Sequence, residues 1–357
     1  MRITSIEVKL LNLELQSALN VAYGSYPVLE YAMLKIHTDD GLTGLGEASP
    51  DPEVTGETQN SVIAALHQAS SYLLGNDPFD IEHIINLCLE KIPAFPSAMA
   101  AIDMALHDLM GQSLGVPVYR LLGGKCRPGI GLYPVIPMDN PEVMAGMSRM
   151  FSEKGAAVLK VKIGSDPDTD YLRLKAIHDA VGGSVKLRLD VNQGWKDART
   201  SLCTIARLSE FNIEWIEQPV AAGDIDGLAA VTAGVEIPIM ADESCHGPED
   251  LLKIVCRHAA DLINIKLMKC GGLYQAAKMA AIAQAAGLPC ILGSMGESSI
   301  GSSAGLHFVT AKSGILACEL IGPLFINNDP AGGFPVNKET FQAVPSDLPG
   351  LGVHLYD

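Results

Sequence analysis

Residues 158–163 read VLKVKI, 186–191 KLRLDV, 213–217 IEWIE, 237–241 IPIMA and 262–266 LINIK. Each is a short apolar or β-branched run, and amphipathic stretches such as Thr169–Ala180, Ala198–Leu208, Pro248–Arg257 and Leu273–Ala286 alternate with them. Outward from this block the pattern adds Gly131–Ile136 on one side, and Cys290–Gly293 and Leu316–Leu320 on the other. Eight strand-like runs alternating with helices predict parallel β/α units, and eight such units close a (β/α)8 TIM-type barrel of the α/β class. An open doubly wound sheet is the alternative, but no G-x-G-x-x-G follows a first strand.

Ionisable residues are phased with these runs. Lys162, Asp190, Glu217, Asp242 and Lys266 fall at or near successive C-terminal ends, at separations of 28, 27, 25 and 24 residues. One barrel unit has about that length, since about 250 residues divide into eight, and the C-terminal strand ends of such barrels carry the chemistry. Taken singly, a carboxylate there caps the next helix and a lysine lays its stem on the surface. The phased series asks for more. Three carboxylates converging on one rim repel unless a cation sits among them. All-oxygen ligation suits Mg²⁺, or Mn²⁺ as a substitute; neither His nor Cys joins the set to favour zinc.

Lys162 and Lys266 lie on the second and sixth of eight runs, on opposite sides of a ring. Lys160, two residues before Lys162, shares its strand face and is expected to depress its pKa as a neighbouring cation; a structural salt bridge is the alternative. A lysine base working near neutral pH must come down from about 10.4 to about 7–8, which requires about 3–5 kcal/mol of differential interaction. Mg²⁺ held by three carboxylates between opposed amines describes a reaction: a substrate carboxylate meets the metal, one lysine removes the α-proton, and the cation stabilises the enediolate. A Schiff-base aldolase lysine and a non-catalytic binding barrel are the rivals from other classes.

Composition sets the outer limits. The 357 residues include 25 Lys plus Arg against 41 Asp plus Glu, a net charge of −16, which argues against nucleic acid and against an anionic membrane. With 48% hydrophobic and 18% charged residues the chain is an ordinary core-former. Eight scattered cysteines without a C-x-x-C pair predict free thiols. MRITSIEVKL has no apolar h-region, so a cytoplasmic protein is expected.

Residues 1 to about 125 read differently. Ile3, Ile6, Val8 and Leu10 alternate in strand fashion, Tyr31–His37 and Thr43–Glu47 form a hairpin around Asp39-Asp40-Gly41, and Gln16–Leu29 is expected to be a mobile loop. Helical patterns follow at Thr58–Leu74, Asp80–Lys91 and Ser97–Leu114, giving a small α+β unit.

With these motifs in place, the sequence resembles the enolase superfamily in its muconate lactonizing enzyme subgroup, over nearly the whole chain. VLKVKIG carries a K-x-K, LRLDVNQGW Asp190 and Asn192, WIEQP Glu217, IMADES Asp242 and INIKLMKCGG Lys266. The resemblance implies an N-terminal α+β capping domain (1–125), a barrel (126–325) and a C-terminal segment (326–357) that returns to complete the cap. It implies Lys162 and Lys266 as catalytic, Lys160 and Asn192 as supporting, and Asp190, Glu217 and Asp242 as metal ligands. Loops near Val21–Val28 and Pro50–Val54 would close over a small-molecule carboxylate and choose it. Val21, Tyr26, Ser294, Glu297 and Glu319 are the substrate-side candidates.

Within the subgroup, MADESC and INIKLMKCGG are most similar to dipeptide epimerases, whose eighth strand carries a D-x-D for the dipeptide ammonium. Here that strand reads Ala317-Cys318-Glu319-Leu320, with Glu319 as its only carboxylate. ELIGPLF and GSMGESSIG are similar to muconate cycloisomerases instead. The expectation is an epimerase or racemase of a dipeptide or other amino-acid-derived carboxylate. A lactonizing cycloisomerase or a succinylbenzoate synthase-like dehydratase is the alternative. By analogy a homo-oligomer, an octamer among the options, is expected. Lys269 is expected only to contact the following loop, and Trp195 and Tyr133 to be mouth or packing residues.

Overall fold

Val158–Lys162, Lys186–Asp190, Ile213–Glu217, Ile239–Ala241 and Leu262–Ile265 are strands in the computed structural model, which describes residues 1–337 and 339–356. With Val135–Ile136, Cys290–Leu292 and Ile315–Cys318 they form one eight-stranded parallel sheet in sequential order. The sheet curls into a (β/α)8 barrel, as the alternation predicts. Its ladders set the mouth: Lys162 pairs with Asp190, and Asp190 with Glu217. Tyr133, Trp215, Met240, Leu262, Ile291 and Ala317 pack together as one buried cluster. Outer helices present apolar stripes to the strands, such as Leu251 and Ile254 of Pro248–Arg257.

The run expected at Gly131–Ile136 is divided. Ile130–Gly131 pairs with Gln342–Ala343 of the C-terminal segment, and only Val135–Ile136 joins the barrel. Pro134 between them has no amide proton to donate, so the ladder changes partner there.

The expected loop at Gln16–Leu29 is extended strand. Ile3–Val21 and Gly24–Thr38 form a long antiparallel hairpin that turns at Ala22-Tyr23, with Leu19 opposite Tyr26 and Val21 opposite Gly24. Leu13, Val21, Leu29 and Tyr31 are buried along it, so apolar burial carries the pairing past the polar Gln16–Ser17 stretch, where the register shifts between Glu14 and Leu19. Thr43–Ala48 adds a third strand. Helices Gln59–Leu73, Ile81–Lys91 and Pro96–Leu114 complete the unit. Gly46 is required by packing: a Cβ there would stand 1.9 Å from the Ala101 carbonyl oxygen.

Buried carboxylates tie this unit to the rest. Asp103 accepts from the amides of Leu273 and Tyr274 at the start of helix Leu273–Ala286. Asp108 accepts from Leu45 N at 2.9 Å and Leu351 N at 2.8 Å, joining a strand and the C-terminal segment through one side chain. Glu47 accepts from Ser298 N, Ser298 Oγ and Gly301 N at the start of helix Ser299–Ala311. Among the described residues no helix is long and apolar enough to cross a membrane, and all eight cysteines are free.

Burial pushes the Glu47 carboxyl up to about 7 against an ordinary value of 4.5. A folded-state pKa above the unfolded one favours the fold below pH 4.5, and the advantage fades as pH rises through 7, by about 3 kcal/mol in all. Urea unfolding at pH 5 and pH 8 should therefore show wild type losing ground relative to Glu47→Gln at the higher pH. A gap between the two proteins that does not change with pH would contradict this.

Candidate active site

Successive strand ends lift their polar residues to one level, and the structure gathers them into an alternating lattice of charge. Lys162 Nζ lies 2.6 Å from Asp190 Oδ2 and 3.0 Å from Asn192 Oδ1. Lys160 Nζ lies 2.9 Å from Asp190 Oδ2, 2.8 Å from Glu217 Oε2 and 2.7 Å from Glu319 Oε1. Across the ring, Lys266 Nζ meets Asp242 Oδ2 at 2.7 Å. Asp190, Glu217 and Asp242 are fully buried.

The protonation tendencies follow from burial set against these neighbours. Burial opposes charge on Asp190, but Lys160 and Lys162 hold its carboxyl down at about 2. Asp242 is likewise held below the ordinary carboxylate range, against burial, by Lys266 and Lys269. Burial and the Asp190 charge push Glu217 well up. Burial disfavours the Lys266 ammonium, yet Asp242, Glu243 and Glu217 outweigh it and hold its pKa above the usual lysine range. Lys160 was expected to act on Lys162 as a bare cation; three carboxylates neutralise it instead.

A second layer positions the first, and sequence reasoning missed most of it. Lys269, expected to touch only a loop, is buried; it bonds Asp242 Oδ1 at 2.6 Å, the Asp242 carbonyl, and Asn264 O at 3.1 Å. Asn264 Nδ2 donates to Glu217 Oε1 at 2.7 Å, and Asn192 Nδ2 to Glu243 Oε1 at 2.9 Å. Gln218 Oε1 accepts from the amides of Asp242 and Ser244. Asn192 and Gln218 hold positive φ of 44° and 39°, local strain at the strand ends that bear the carboxylates. Strand alternation was the available signal for Asn264, which lies two residues before Lys266 and so faces the same way. Trp195 Nε1 bonds Asp170 and is a packing residue.

Above this floor lies a cavity of about 480 Å³, lined by Val21, Tyr26, Lys160, Lys162, Asn192, Lys266, Ser294 and Glu319 among others. The capping hairpin and Pro50–Pro52 form much of the wall. Glu297 does not line it. Its carboxylate turns back onto Ser294 Oγ and Met295 N, because the tight turn leaves those donors beneath the loop. Glu319 lines the cavity, but Lys160 occupies both of its oxygens.

The mandelate racemase / muconate lactonizing enzyme N-terminal domain matches residues 5–123, and the enolase C-terminal domain-like family matches residues 142–357. The chain belongs to the enolase superfamily, in its muconate lactonizing enzyme subgroup. It is an enolase-superfamily isomerase. It is 38% identical over 356 residues to the N-succinyl-L-Arg/Lys racemase of Bacillus cereus, covering 99% of this chain and 96% of that one. It is 39% identical to the hydrophobic dipeptide epimerase of Enterococcus faecalis over 99% of both, and 34% identical to muconate cycloisomerase 1 of Rhodococcus opacus, covering 99% of this chain and 96% of that one. The Bacillus cereus racemase structure superposes at a TM-score of 0.97, covering 100% of this chain and 96% of that one. The Enterococcus faecalis epimerase complexed with Mg and the dipeptide L-Leu-L-Tyr superposes at 0.95 with 35% identity, over 99% of both chains.

In the isomerase as it stands, the carboxylates face ammonium groups, and among the described residues no three His, Cys, Asp or Glu are arranged to hold a metal ion. The donor chemistry fits one nonetheless: three buried carboxylates on consecutive strands, with Glu243 Oε2 and Asn264 Oδ1 buried beside them without partners. Burial, together with the Asp242 and Asp190 charges, pushes the Glu243 carboxyl up to about 7.

Removing Lys269 would leave part of this lattice uncompensated. Lys269→Met should lower unfolding stability by about 3–5 kcal/mol, the cost of breaking a buried ion pair from one side. Urea denaturation checks it; a loss below about 1 kcal/mol would show that Lys269 contributes little to holding Asp242.

Proposed function

We propose that the enzyme inverts the carbon α to the carboxylate of an amino-acid-derived substrate, by proton transfer between Lys162 and Lys266. One observation carries this reading: both ammonium-bearing side chains line the same cavity from strands two and six of a ring of eight. A Cα bound between them presents one face to each. One lysine, neutral, takes the α-proton; the other, protonated, delivers a proton to the opposite face. Asn192 orients Lys162 through its 3.0 Å contact. Lys266 serves as a base only when released from Asp242, since a paired ammonium keeps its proton.

Asp190, Glu217 and Asp242 would hold Mg²⁺, with Mn²⁺ as a substitute, and the cation supplies the positive charge that offsets charge developing on the substrate carboxylate. Gln218 and Lys269 fix Asp242 for that task, and Asn264 fixes Glu217. The capping hairpin, with Val21 and Tyr26, and the Ser294 loop exclude water from the reacting carbon.

The racemase and epimerase relatives support inversion as the outcome. The wall supports one anionic end: among the described residues the lining cations are Lys160, Lys162 and Lys266, all at the floor, whereas Glu30, Asp51 and Glu57 also line the cavity. A muconate carries two carboxylates, so this distribution favours epimerisation over cycloisomerisation.

N-acylated amino acids and dipeptides incubated with Mg²⁺ in D₂O should gain α-deuterium, followed by NMR. Lys266→Met should reduce inversion by about 10²–10⁴-fold while Lys162 still exchanges the α-proton of one stereoisomer. A variant that interconverts both isomers at the parent rate sinks the assignment. EDTA should inactivate the enzyme and borohydride should not; the reverse would point to Schiff-base chemistry.

A further inference from the structure

The carboxylate partners of Lys160 divide into two kinds. Asp190 and Glu217 belong to the trio assigned above to the metal; Glu319, on the eighth strand's end, does not. Lys160 Nζ lies 2.7 and 2.8 Å from the two oxygens of Glu319, so it is held on that side as firmly as on the other. An ammonium and a divalent cation that share carboxylate oxygens repel each other. Whatever draws Lys160 toward Glu319 weakens that competition.

Glu319 is built into place for such a role. The Tyr133 hydroxyl donates to its Oε1 at 3.3 Å. The Arg188 guanidinium covers the Tyr133 ring at 4.1 Å and the Trp215 ring at 3.9 Å, and Glu214 anchors it at 2.6 Å. Glu319 is 6% exposed and Lys160 3%. Its charge is compensated from within the barrel.

We propose that Glu319 is a positioning residue of the metal centre, drawing Lys160 off Asp190 and Glu217 so that these can take a divalent cation, and that it is not a subsite for a substrate ammonium. This rests on the metal assignment in the proposed function. It gives the solitary eighth-strand carboxylate a task that needs no charged group on the substrate's nitrogen.

Calorimetric titration with Mg²⁺ alone, no substrate present, tests it. Glu319→Gln should weaken Mg²⁺ binding about tenfold, because Lys160 then falls wholly on the two carboxylates. Tyr133→Phe, which keeps the ring packing, should weaken it in the same direction by about two- to threefold. Adding Lys160→Met to Glu319→Gln should restore affinity to within about threefold of wild type, a rescue that a misfolded or merely destabilised variant would not show. Wild-type affinity in Glu319→Gln, or a double variant as weak as the single one, overturns the proposal. Wild-type protein that binds no Mg²⁺ overturns the metal assignment itself.

Discussion

The barrel mouth depends on one constraint: the carboxylates packed at its floor are stable as charges only where a cation faces them. Asp190, Glu217, Asp242 and Glu319 meet that demand with Lys160, Lys162, Lys266 and Lys269 at 2.6–2.9 Å. Desolvation disfavours each charge taken alone, and the short contacts offset it. On the proposed function the same groups are both the scaffold and the chemical equipment of the site. A lysine bound too tightly to its carboxylate cannot accept a proton, so the proposed transfer requires the lattice to open. Lys162, bonded to Asp190 and Asn192, and Lys266, bonded to Asp242, also border open cavity, where a substrate can reach them.

The capping unit extends the same logic. Glu47 and Asp103 place carboxylates at the amino ends of two barrel helices, where unpaired amides offer hydrogen bonds and partial positive charge. Tyr31 adds a hydrogen bond to the Met295 carbonyl, within the loop that follows the seventh strand. The wall of the cavity is thus held from both sides, and the hairpin at Val21 and Tyr26 stands over the reacting groups.

Much of this was legible in the chain. Phasing of Lys162, Asp190, Glu217, Asp242 and Lys266 at one per β/α unit already places them on one rim, because parallel strands in a barrel end at a common level. The long hairpin was not legible, since Gln16–Ser17 interrupts the alternation and only pairing with Tyr26–Leu29 shows that the strand continues. Lys269, expected only to contact the following loop, falls in the short helix Leu267–Cys270, which brings its ammonium to the Asp242 carboxylate. Glu297 looked like a substrate group by position, yet the local turn supplies it with donors at hand.

Sequence by itself determined the repeating β/α units, the family, and which residue types reach the mouth, because those follow from period and order along the chain. Only the tertiary structure decided which charge faces which. That depends on side chains from strands far apart in the chain, such as Lys160 and Glu319, meeting inside the closed ring. Their partners are chosen by the cost of leaving any buried charge alone, a condition that acts on the whole ring at once.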